Sequence, residues 1–397
     1  MSPPLRLARK RLDLTWADLG YGLRCCALPP RRERALDRLA ALWQPAGSVV
    51  ACLSVRSGFD LLLACVDWPP GSEVLMSALT IPHMATLVRA HGYVPVAVDL
   101  DPETLELEAE RLRAACSPRT RALVYAHLLG ARADVGTLAA LAGERGLLLV
   151  EDRAECYDGV HTDLGPDADV AMYSFGTIKT ATCLGGGVLL VGDLWLRSRM
   201  LDRQQRWPVQ TSRAYAAKLV KGAGMLALGH PRVFPRFARL MDGVTGDYDQ
   251  VVRTLSRGYA DHDLLDTIRR QPSRALLGML ARRLSTYDPG RVERRTRAGA
   301  RLAAGLAPHV IQLGRTARRR THWLFAVTAR NPDALVAAGR AAGFDLTRGS
   351  STLVALDESC QQASRAMATV VYLPAYDGMR DADLDTLAAV VNQVEAG

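Results

Sequence analysis

The chain of 397 residues is long enough for two domains with a substantial hydrophobic core. Its hydrophobic fraction of 49% and charged fraction of 23% are typical of a globular protein, which argues against a disordered chain. No apolar run approaches the length of a transmembrane helix, and residues 1–13 lack the apolar stretch of a signal peptide. We therefore expect a cytoplasmic protein without an integral membrane segment.

The formal net charge of +9 is carried almost entirely by arginine, because the chain has only four lysines. In a chain that uses arginine for nearly every cation, each remaining lysine requires an explanation. Basic residues are spread over many segments, with a denser run at residues 315–320. Such a run is more typical of a solvated face than of a nucleic-acid site, so we expect no nucleic-acid partner. The four lysines are Lys10, Lys179, Lys218 and Lys221.

The eight cysteines are scattered, mostly in apolar runs, and none forms a C-x-x-C pair. This spacing does not suit a zinc site, and unpaired cysteines fit a reducing compartment. We predict no bound metal.

Between residues 47 and 193, short apolar runs alternate with helical patterns. This alternation predicts an α/β fold in which a mainly parallel, mixed sheet lies between two layers of helices. We predict strands at residues 47–54, 73–77, 94–98, 122–127, 147–151, 170–174 and 187–191, with helices at residues 58–66, 84–91, 106–115 and 135–145.

The second half of the chain has a different pattern. Residues 197–257 are basic and interrupted by prolines, which predicts a helical segment that could cap a site. Residues 271–306 predict one or two amphipathic helices broken near residue 289. The remaining pattern predicts a smaller α+β domain, with strands at residues 323–328 and 369–373 and helices at residues 332–342 and 381–394. We predict a large domain over residues 20–255 and a small C-terminal domain over residues 256–397.

Three segments carry chemically useful residues. The strand at residues 147–151 runs into Glu151 and Asp152, at the position where an open α/β sheet places its ligand. The strand at residues 170–174 ends in Ser174, and the following loop carries Lys179 and a run of three glycines. Arg56-Ser57-Gly58 opens a helix whose first amides could receive a phosphate.

This combination fits pyridoxal phosphate (PLP), which needs an amine for its aldehyde, an acid beside its pyridine nitrogen and a cup for its phosphate. We predict that Lys179 holds PLP as a Schiff base and transfers protons, and that Asp152 keeps the pyridine nitrogen protonated. Ser174 and the amides near Ser57 and Gly58 are predicted to hold the phosphate. Taken alone, Asp152 could be a helix cap or a turn residue. Lys179 alone could be a surface lysine, but its place between apolar segments of a lysine-poor chain favours a functional role, and the joint spacing of the three segments favours the site.

The sequence resembles the sugar-aminotransferase (DegT/StrS-type) family of fold-type-I PLP enzymes, well over residues 45–195 and weakly over residues 255–395. Several short runs carry the resemblance. Residues 151–155 resemble E-D-x-A-Q, residues 174–179 S-F-x-x-x-K with trailing glycines, residues 126–130 the H-L-x-G run, residues 98–102 the D-x-D/P turn, and residues 371–374 the late L-P. The resemblance implies the aspartate-aminotransferase-like fold, amino-transfer chemistry and a homodimer with shared active sites.

Several positions depart from the family pattern. Glu155 replaces a Gln that contacts the cofactor's phenolic oxygen, so we expect it either to hold a proton or to turn towards an arginine. Phe59 replaces a hydroxyl residue at the phosphate site. Ile81 replaces the aromatic residue of the family, which leaves His83 as the candidate for stacking on the ring. Gly258-Tyr259-Ala260 matches a G-Y-Asn run in which the partner's Asn contacts the phosphate, but Ala260 lacks that amide.

We therefore predict an aminotransferase that moves an amino group from an amino acid, glutamate or glutamine, to a keto sugar or cyclitol in a glycan or natural-product pathway. One alternative is a PLP-dependent dehydratase, although the related sugar dehydratases replace the lysine with histidine. A second alternative is a non-catalytic PLP-binding regulatory protein. A nucleotide-binding α/β module is a third, but no G-x-G-x-x-G follows the first strand.

Overall fold

The structure is a computed structural model that describes residues 5–165, 167–245, 263–349 and 352–397. Its helices and strands alternate through the first half of the chain. The strands are β1 Val49–Cys52, β2 Glu73–Ser77, β3 Leu79–Thr80, β4 Val94–Val98, β5 Thr120–Ala126, β6 Ala131–Arg132, β7 Leu148–Asp152, β8 Val170–Ser174, β9 Gly187–Val191, β10 Arg319–Arg320, β11 Phe325–Thr328, β12 Val354–Ala355 and β13 Val370–Leu373.

The helices of the described residues are numbered in chain order as well. They are α1 Trp16–Ala27, α2 Arg32–Ala40, α3 Val55–Leu63, α4 Pro82–Ala90, α5 Ala109–Ala115, α6 Gly136–Arg145, α7 Leu194–Gln205, α8 Ser212–Leu228, α9 Phe234–Thr245, α10 Leu264–Ile268, α11 Arg274–Ser285, α12 Gly290–Gly305, α13 Pro332–Ala341, α14 Gln361–Thr369 and α15 Asp381–Ala396. None of them is long and apolar enough to cross a membrane.

The central sheet has seven strands in the order β1-β9-β8-β7-β5-β2-β4. The neighbouring pairs β4–β2, β2–β5, β5–β7 and β7–β8 are parallel, whereas β9 runs antiparallel to both β8 and β1. The predicted α/β class with a large, mainly parallel mixed sheet is therefore confirmed. The strand predictions for this sheet are correct to within a few residues.

Both faces of this sheet are buried, which explains why its strands read as continuous apolar runs rather than as alternating ones. On β8, Ala171 and Tyr173 belong to one apolar cluster, while Val170 and Met172 belong to another on the opposite face. Successive side chains of a strand point to opposite faces, so each strand contributes to both layers of core.

The smaller C-terminal unit is built on the antiparallel pair β11 and β13, as predicted. Its own apolar cluster includes Leu302 of α12, Leu335 of α13 and Leu387 of α15. The predicted break near residue 289 is present, between α11 and α12.

The predicted domain boundary between residues 255 and 256 lies outside the described residues and stays a prediction. The first two described helices after it belong by packing to the large sheet. Leu264 and Ile268 of α10 pack into one core cluster of the sheet, and Leu276 and Leu280 of α11 pack into the other. The sequence pattern predicts α11 but not α10, and it does not show which core receives the apolar face of either helix.

The described part of the basic segment at residues 197–257 forms α7, α8 and α9. The loop between α8 and α9, together with Phe234 and Phe237, lines a cavity that also contains Lys179. A role for this segment as a cap stays a prediction.

An N-terminal segment, residues 5–14, crosses between the two units. Leu7 forms a parallel bridge with Phe344, and the Arg9 guanidinium donates to both carboxylate oxygens of Asp345, at 2.9 and 2.8 Å. At its other end, Asp13 accepts a hydrogen bond of 2.8 Å from the amide of Ala181, in the loop that follows Lys179.

Candidate active site

The candidate site lies where parallel strands β7 and β8 end. Asp152 is the last residue of β7 and Ser174 the last of β8, so both side chains lie at the same edge of the sheet. Lys179 follows in the loop between β8 and β9. This edge is where open α/β sheets bind ligands, and the charges of Lys179 and Asp152 are close enough to influence each other.

Lys179 is held by Glu155. The Lys179 Nζ donates to Oε1 of Glu155 at 3.2 Å, while Oε2 of the same carboxylate accepts the amide of Leu129 at 3.0 Å. Glu155 is buried, and the Lys179 side chain is 18% exposed. The structure does not have the alternative in which Glu155 turns towards an arginine: the carboxylate accepts a hydrogen bond from the lysine amine.

The small unit closes the other side of Lys179. The Lys179 Nζ lies 4.1 Å from the ring centroid of Trp323, a distance at which a cation–π attraction operates. The same indole donates from Nε1 to the carbonyl of Ile178 at 3.0 Å. Arg295 of α12 donates to Oγ1 of Thr180 at 3.2 Å. Both neighbours of Lys179 in the sequence are thus held from the small unit.

Asp152 has an unusual acidity. Burial raises its pKa to about 6, although the Ala154 amide donates to it at 3.0 Å and the Lys179 charge lowers the pKa. The charge of Arg56 also acts on it. A carboxyl group with a raised pKa at the edge of a sheet, within the electrostatic reach of an amine, is typical of a functional site.

The end of β7 is fixed by a buried ionic network beside the site. Glu151 accepts two hydrogen bonds of 2.8 Å from Arg153 and has a third contact of 2.8 Å with Nε2 of His127. Burial alone would raise the pKa of Glu151, but the bonds to His127 and Arg153 lower it to about 2. His127, in the predicted H-L-x-G run, therefore has a structural role.

The start of α3 differs from what the sequence suggested. The helix begins at Val55 with Ser54 as its cap; the Ser57 amide donates to Oγ of Ser54 at 3.2 Å, and the Gly58 amide donates to the carbonyl of Ser54 at 3.1 Å. These two amides are engaged within the helix, contrary to our expectation. The amides of Val55 and Arg56 precede the first hydrogen bond within the helix. These two amides are therefore the candidates for contact with the phosphate.

A narrow space separates this helix start from the end of the sheet. A Cβ on Gly187 would meet backbone atoms of Ser54 and Val55 at 2.7 Å, so only glycine permits this approach. Ser174 pairs with Gly187 across the strands, and within the described chain its hydroxyl donates to no other residue. The hydroxyl of Ser57 lies 3.0 Å from that of Ser54.

His83 is the second residue of α4 and contacts the site through Arg56, whose Nε donates to Nδ1 of His83 at 3.0 Å. Its role as a stacking residue stays a prediction. The Gly258-Tyr259-Ala260 run and the consequence of Ala260 lie outside the described residues.

The residues present fit PLP. They supply a partly buried amine at Lys179, a carboxyl at Asp152, and a close approach at Gly187 between the end of the sheet and the helix start that carries Ser57. These are the amine, the acid and the phosphate cup that this cofactor needs.

Sequence reasoning missed Asp13, Lys10 and Arg295, which all line the cavity with Lys179. Their contacts join parts of the chain that lie more than 100 residues apart, so no local pattern encodes them. One signal was available: Lys10 is among the four lysines of an arginine-rich chain.

Comparison with known proteins agrees with this geometry. The sequence model of the DegT/DnrJ/EryC1/StrS aminotransferase family matches residues 31–218. The family resemblance is confirmed.

Solved structures of similar fold cover nearly the whole chain. The aminotransferase TlmJ from Streptoalloteichus hindustanus is 22% identical, with a TM-score of 0.70, over 100% of this chain and 99% of its own. The sugar aminotransferase CalS13 from Micromonospora echinospora is also 22% identical, with a TM-score of 0.69, over 99% of this chain and 100% of its own. The PLP form of the Streptococcus pneumoniae protein Spr1654, described as a putative sugar aminotransferase, is 17% identical, with a TM-score of 0.67, over 100% of this chain and 99% of its own. At these identities the likeness establishes the fold.

Proposed function

We propose that the protein is a PLP-dependent aminotransferase that moves an amino group from glutamate or glutamine to a keto sugar or cyclitol. The observation that carries the proposal is the placement of Lys179, whose amine lies between the Glu155 carboxylate and the Trp323 ring at the edge of the sheet where Asp152 ends β7. The family match supports amino transfer as the reaction.

When bound, PLP supplies an aldehyde for the amino group and a ring that withdraws electrons from the substrate carbon. Lys179 is the residue proposed to bind that aldehyde, and its Nζ is the group that takes and returns a proton at the substrate carbon. Glu155 accepts a hydrogen bond from Nζ and so fixes the direction of the amine.

Asp152 is proposed to face the ring nitrogen. Burial holds its pKa at about 6 in the protein alone. A protonated ring nitrogen close to the carboxylate would favour the ionised form of Asp152, and the carboxylate would in turn keep that nitrogen protonated. Ser57, Ser174 and the first amides of α3 would hold the phosphate.

The sugar acceptor is a finer inference. CalS13, whose fold the chain shares, is a sugar aminotransferase, and TlmJ is an aminotransferase. These names support a sugar-like acceptor in a glycan or natural-product pathway. A homodimer with shared active sites and a cytoplasmic location complete the proposal; sedimentation of the purified protein tests the first.

The proposal is tested by trapping the lysine. Reduction of the purified, PLP-loaded protein with borohydride, followed by peptide mapping, should place the pyridoxyl label on Lys179. A label on Lys10, which lies close by, or on another lysine would overturn the assignment.

Lys179→Ala should lose the label and nearly all transfer from glutamate while keeping its fold by circular dichroism. Lys221→Ala, which removes an exposed lysine, serves as the matched control and should behave like the native protein. Turnover with an amino donor separates an enzyme from a non-catalytic PLP-binding protein.

A further inference from the structure

A cavity of about 470 Å³ opens beside Lys179. Its walls come from the N-terminal segment, from α8 and α9, and from the small unit. Besides Lys179, the cavity is lined by Arg9, Lys10, Arg11, Arg291 and Arg295, and two of these, Lys10 and Arg295, lie on elements far apart in the sequence. Their surroundings indicate the class of ligand that suits the cavity.

Among the described residues, the Lys10 amine contacts only uncharged groups. Its Nζ donates to the carbonyl of Trp323 at 3.3 Å and lies 3.8 Å from the centroid of the same ring that Lys179 contacts. Burial lowers the pKa of Lys10 well below its ordinary value, and the charges of Arg295 and Lys179 lower it further. The neighbouring positive charges thus disfavour the charged form of Lys10, and an anion in the cavity would favour it.

Arg295 is likewise bound to neutral acceptors only. Its Nε donates to the carbonyl of Thr321 at 2.8 Å and its Nη1 to Oγ1 of Thr180. Its Nη2 is shielded from solvent and donates to nothing in the described part of the chain. A buried guanidinium with an unused donor costs free energy unless an anion completes it.

The carboxylates around the cavity are already engaged. Asp13 pairs with Arg291 at 2.8 Å and with Arg283 at 3.3 Å, and Glu155 pairs with Lys179. Asp345 pairs with Arg9. Neither Lys10 nor Arg295 forms a salt bridge with a carboxylate of the described residues.

We propose that Lys10 and Arg295 bind a carboxylate of the amino donor. An amino acid carries its carboxylate one carbon away from its amino group, so a donor whose nitrogen reacts beside Lys179 needs a cationic site close by. Arg295 contacts Thr180, the next residue after Lys179, and Lys10 shares the Trp323 ring with Lys179. A guanidinium can donate two parallel N–H hydrogen bonds to the two oxygens of one carboxylate. This inference rests on the proposed function, and it assigns donor recognition to the N-terminal segment.

The test uses the PLP-loaded protein and glutarate, a dicarboxylate that has no amino group and cannot react. Isothermal titration should show that Arg295→Gln and Lys10→Met each bind glutarate about 10- to 100-fold more weakly than the native protein, because each loses a charge-assisted bond. Two matched controls should bind normally: Arg301→Gln, whose exposed guanidinium on α12 pairs with Asp381 and Asp385 outside the cavity, and the exposed Lys221→Met.

Thermal melting without ligand separates binding from structural support. Each of the two variants removes a partly buried cation that has no carboxylate partner among the described residues, so neither should melt far below the native protein. A large loss of stability in both would indicate structural cations and overturn the proposal. If Arg295→Gln alone fails to fold, Lys10→Met still decides.

Other outcomes also overturn the proposal. Equal glutarate affinity in the native protein and in both variants would show that Lys10 and Arg295 do not bind the carboxylate. Inorganic phosphate that binds more tightly than glutarate and displaces it would identify a phosphorylated substrate instead. Loss of the visible PLP absorbance in Lys10→Met would make Lys10 part of the cofactor site. Since glutarate binding requires no turnover, these results are independent of the borohydride test of the proposed function.

Discussion

The two oxygens of Glu155 bind different parts of the chain: Oε1 accepts the Lys179 amine at 3.2 Å, and Oε2 accepts the amide of Leu129 at 3.0 Å. Leu129 has a φ of 57°, a left-handed conformation that is strained for a leucine. The Glu155 carboxylate therefore connects Lys179 to the backbone turn that follows β5. The direction of the Lys179 amine depends on Glu155 as well as on the loop between β8 and β9.

Glu155→Gln should change the titration of this site. In the PLP-loaded protein, a negative charge beside the Schiff-base nitrogen would favour the protonated form of that nitrogen, and glutamine removes the charge while keeping the size of the side chain. In the PLP-loaded protein, the pH midpoint of the visible absorbance change should fall by roughly one to two units. The exposed Glu144→Gln serves as the control. Identical midpoints for native protein and Glu155→Gln would mean that the carboxylate does not act on the cofactor.

Asp152→Asn should separate activity from stability. Amino transfer should fall by orders of magnitude, because asparagine cannot stabilise a protonated ring nitrogen. The fold should not suffer, since burial already disfavours the charge.

The sign of the pH dependence follows from the direction of the pKa shift. The pKa of Asp152 rises from 3.8 to about 6 on folding, so the folded protein binds the extra proton between these values. The contribution of Asp152 to the free energy of unfolding is therefore most favourable below pH 4, and this contribution is lost as the pH rises through 6. At pH 8 the cofactor-free Asp152→Asn should be more stable than the native protein by on the order of 2 kcal/mol. Denaturant titrations at pH 5 and 8 measure this, and lower stability of Asp152→Asn at pH 8 would contradict it.

Gly187→Ala tests the cup proposed for the phosphate. An alanine methyl would meet backbone atoms of Ser54 and Val55, which cannot rotate away as a side chain would, so β9 and α3 must separate. We expect a destabilisation of about 1–3 kcal/mol together with weaker PLP binding, measured by denaturation and by absorbance. Gly143→Ala lies in α6 with no atom within 4 Å of the new methyl, and should be neutral or slightly stabilising. Native-like PLP affinity in Gly187→Ala would show that the approach of Gly187 to the start of α3 is not part of the cofactor site.

The sequence determines the large sheet well because both of its faces are buried, so every strand is a compact apolar run between turn residues. The positions of Asp152, Ser174 and Lys179 follow from those strands, since each side chain lies at or just after a strand end. The start of α3 was harder to predict: Ser54 and Ser57 are both suitable caps, and only the structure shows that Ser54 takes this role.

The contacts of Trp323 and Lys10 could not be predicted from local patterns. They form when the small unit and the N-terminal segment fold over the edge of the sheet, and that arrangement depends on packing across the whole molecule. The N-terminal segment has no hydrophobic periodicity that would predict a helix or a strand. It is held instead by individual contacts such as the Arg9–Asp345 pair, which no local pattern reveals.

Lys10→Met should also change how stability depends on pH. The pKa of Lys10 is lowered by burial and by the charges of Arg295 and Lys179, against smaller opposite contributions from Glu155 and Asp13. Between this lowered pKa and the ordinary value of 10.5, the unfolded chain binds a proton that the folded protein has released. The unfolded state then binds more protons, so this group makes the native protein more stable as the pH rises.

Replacing Lys10 with methionine removes that slope. The free energy of unfolding of the native protein, relative to that of Lys10→Met, should therefore increase between pH 7 and pH 10 in cofactor-free protein. Denaturant titrations at three pH values in this range measure the difference, with Lys221→Met as the control for loss of a lysine. Glutarate should reduce the slope, because an anion next to the Lys10 amine favours its charged form and raises its pKa. Parallel pH profiles for native protein and Lys10→Met would show that Lys10 is not held in a cationic, buried cluster, and the case for a carboxylate site would lose its electrostatic basis.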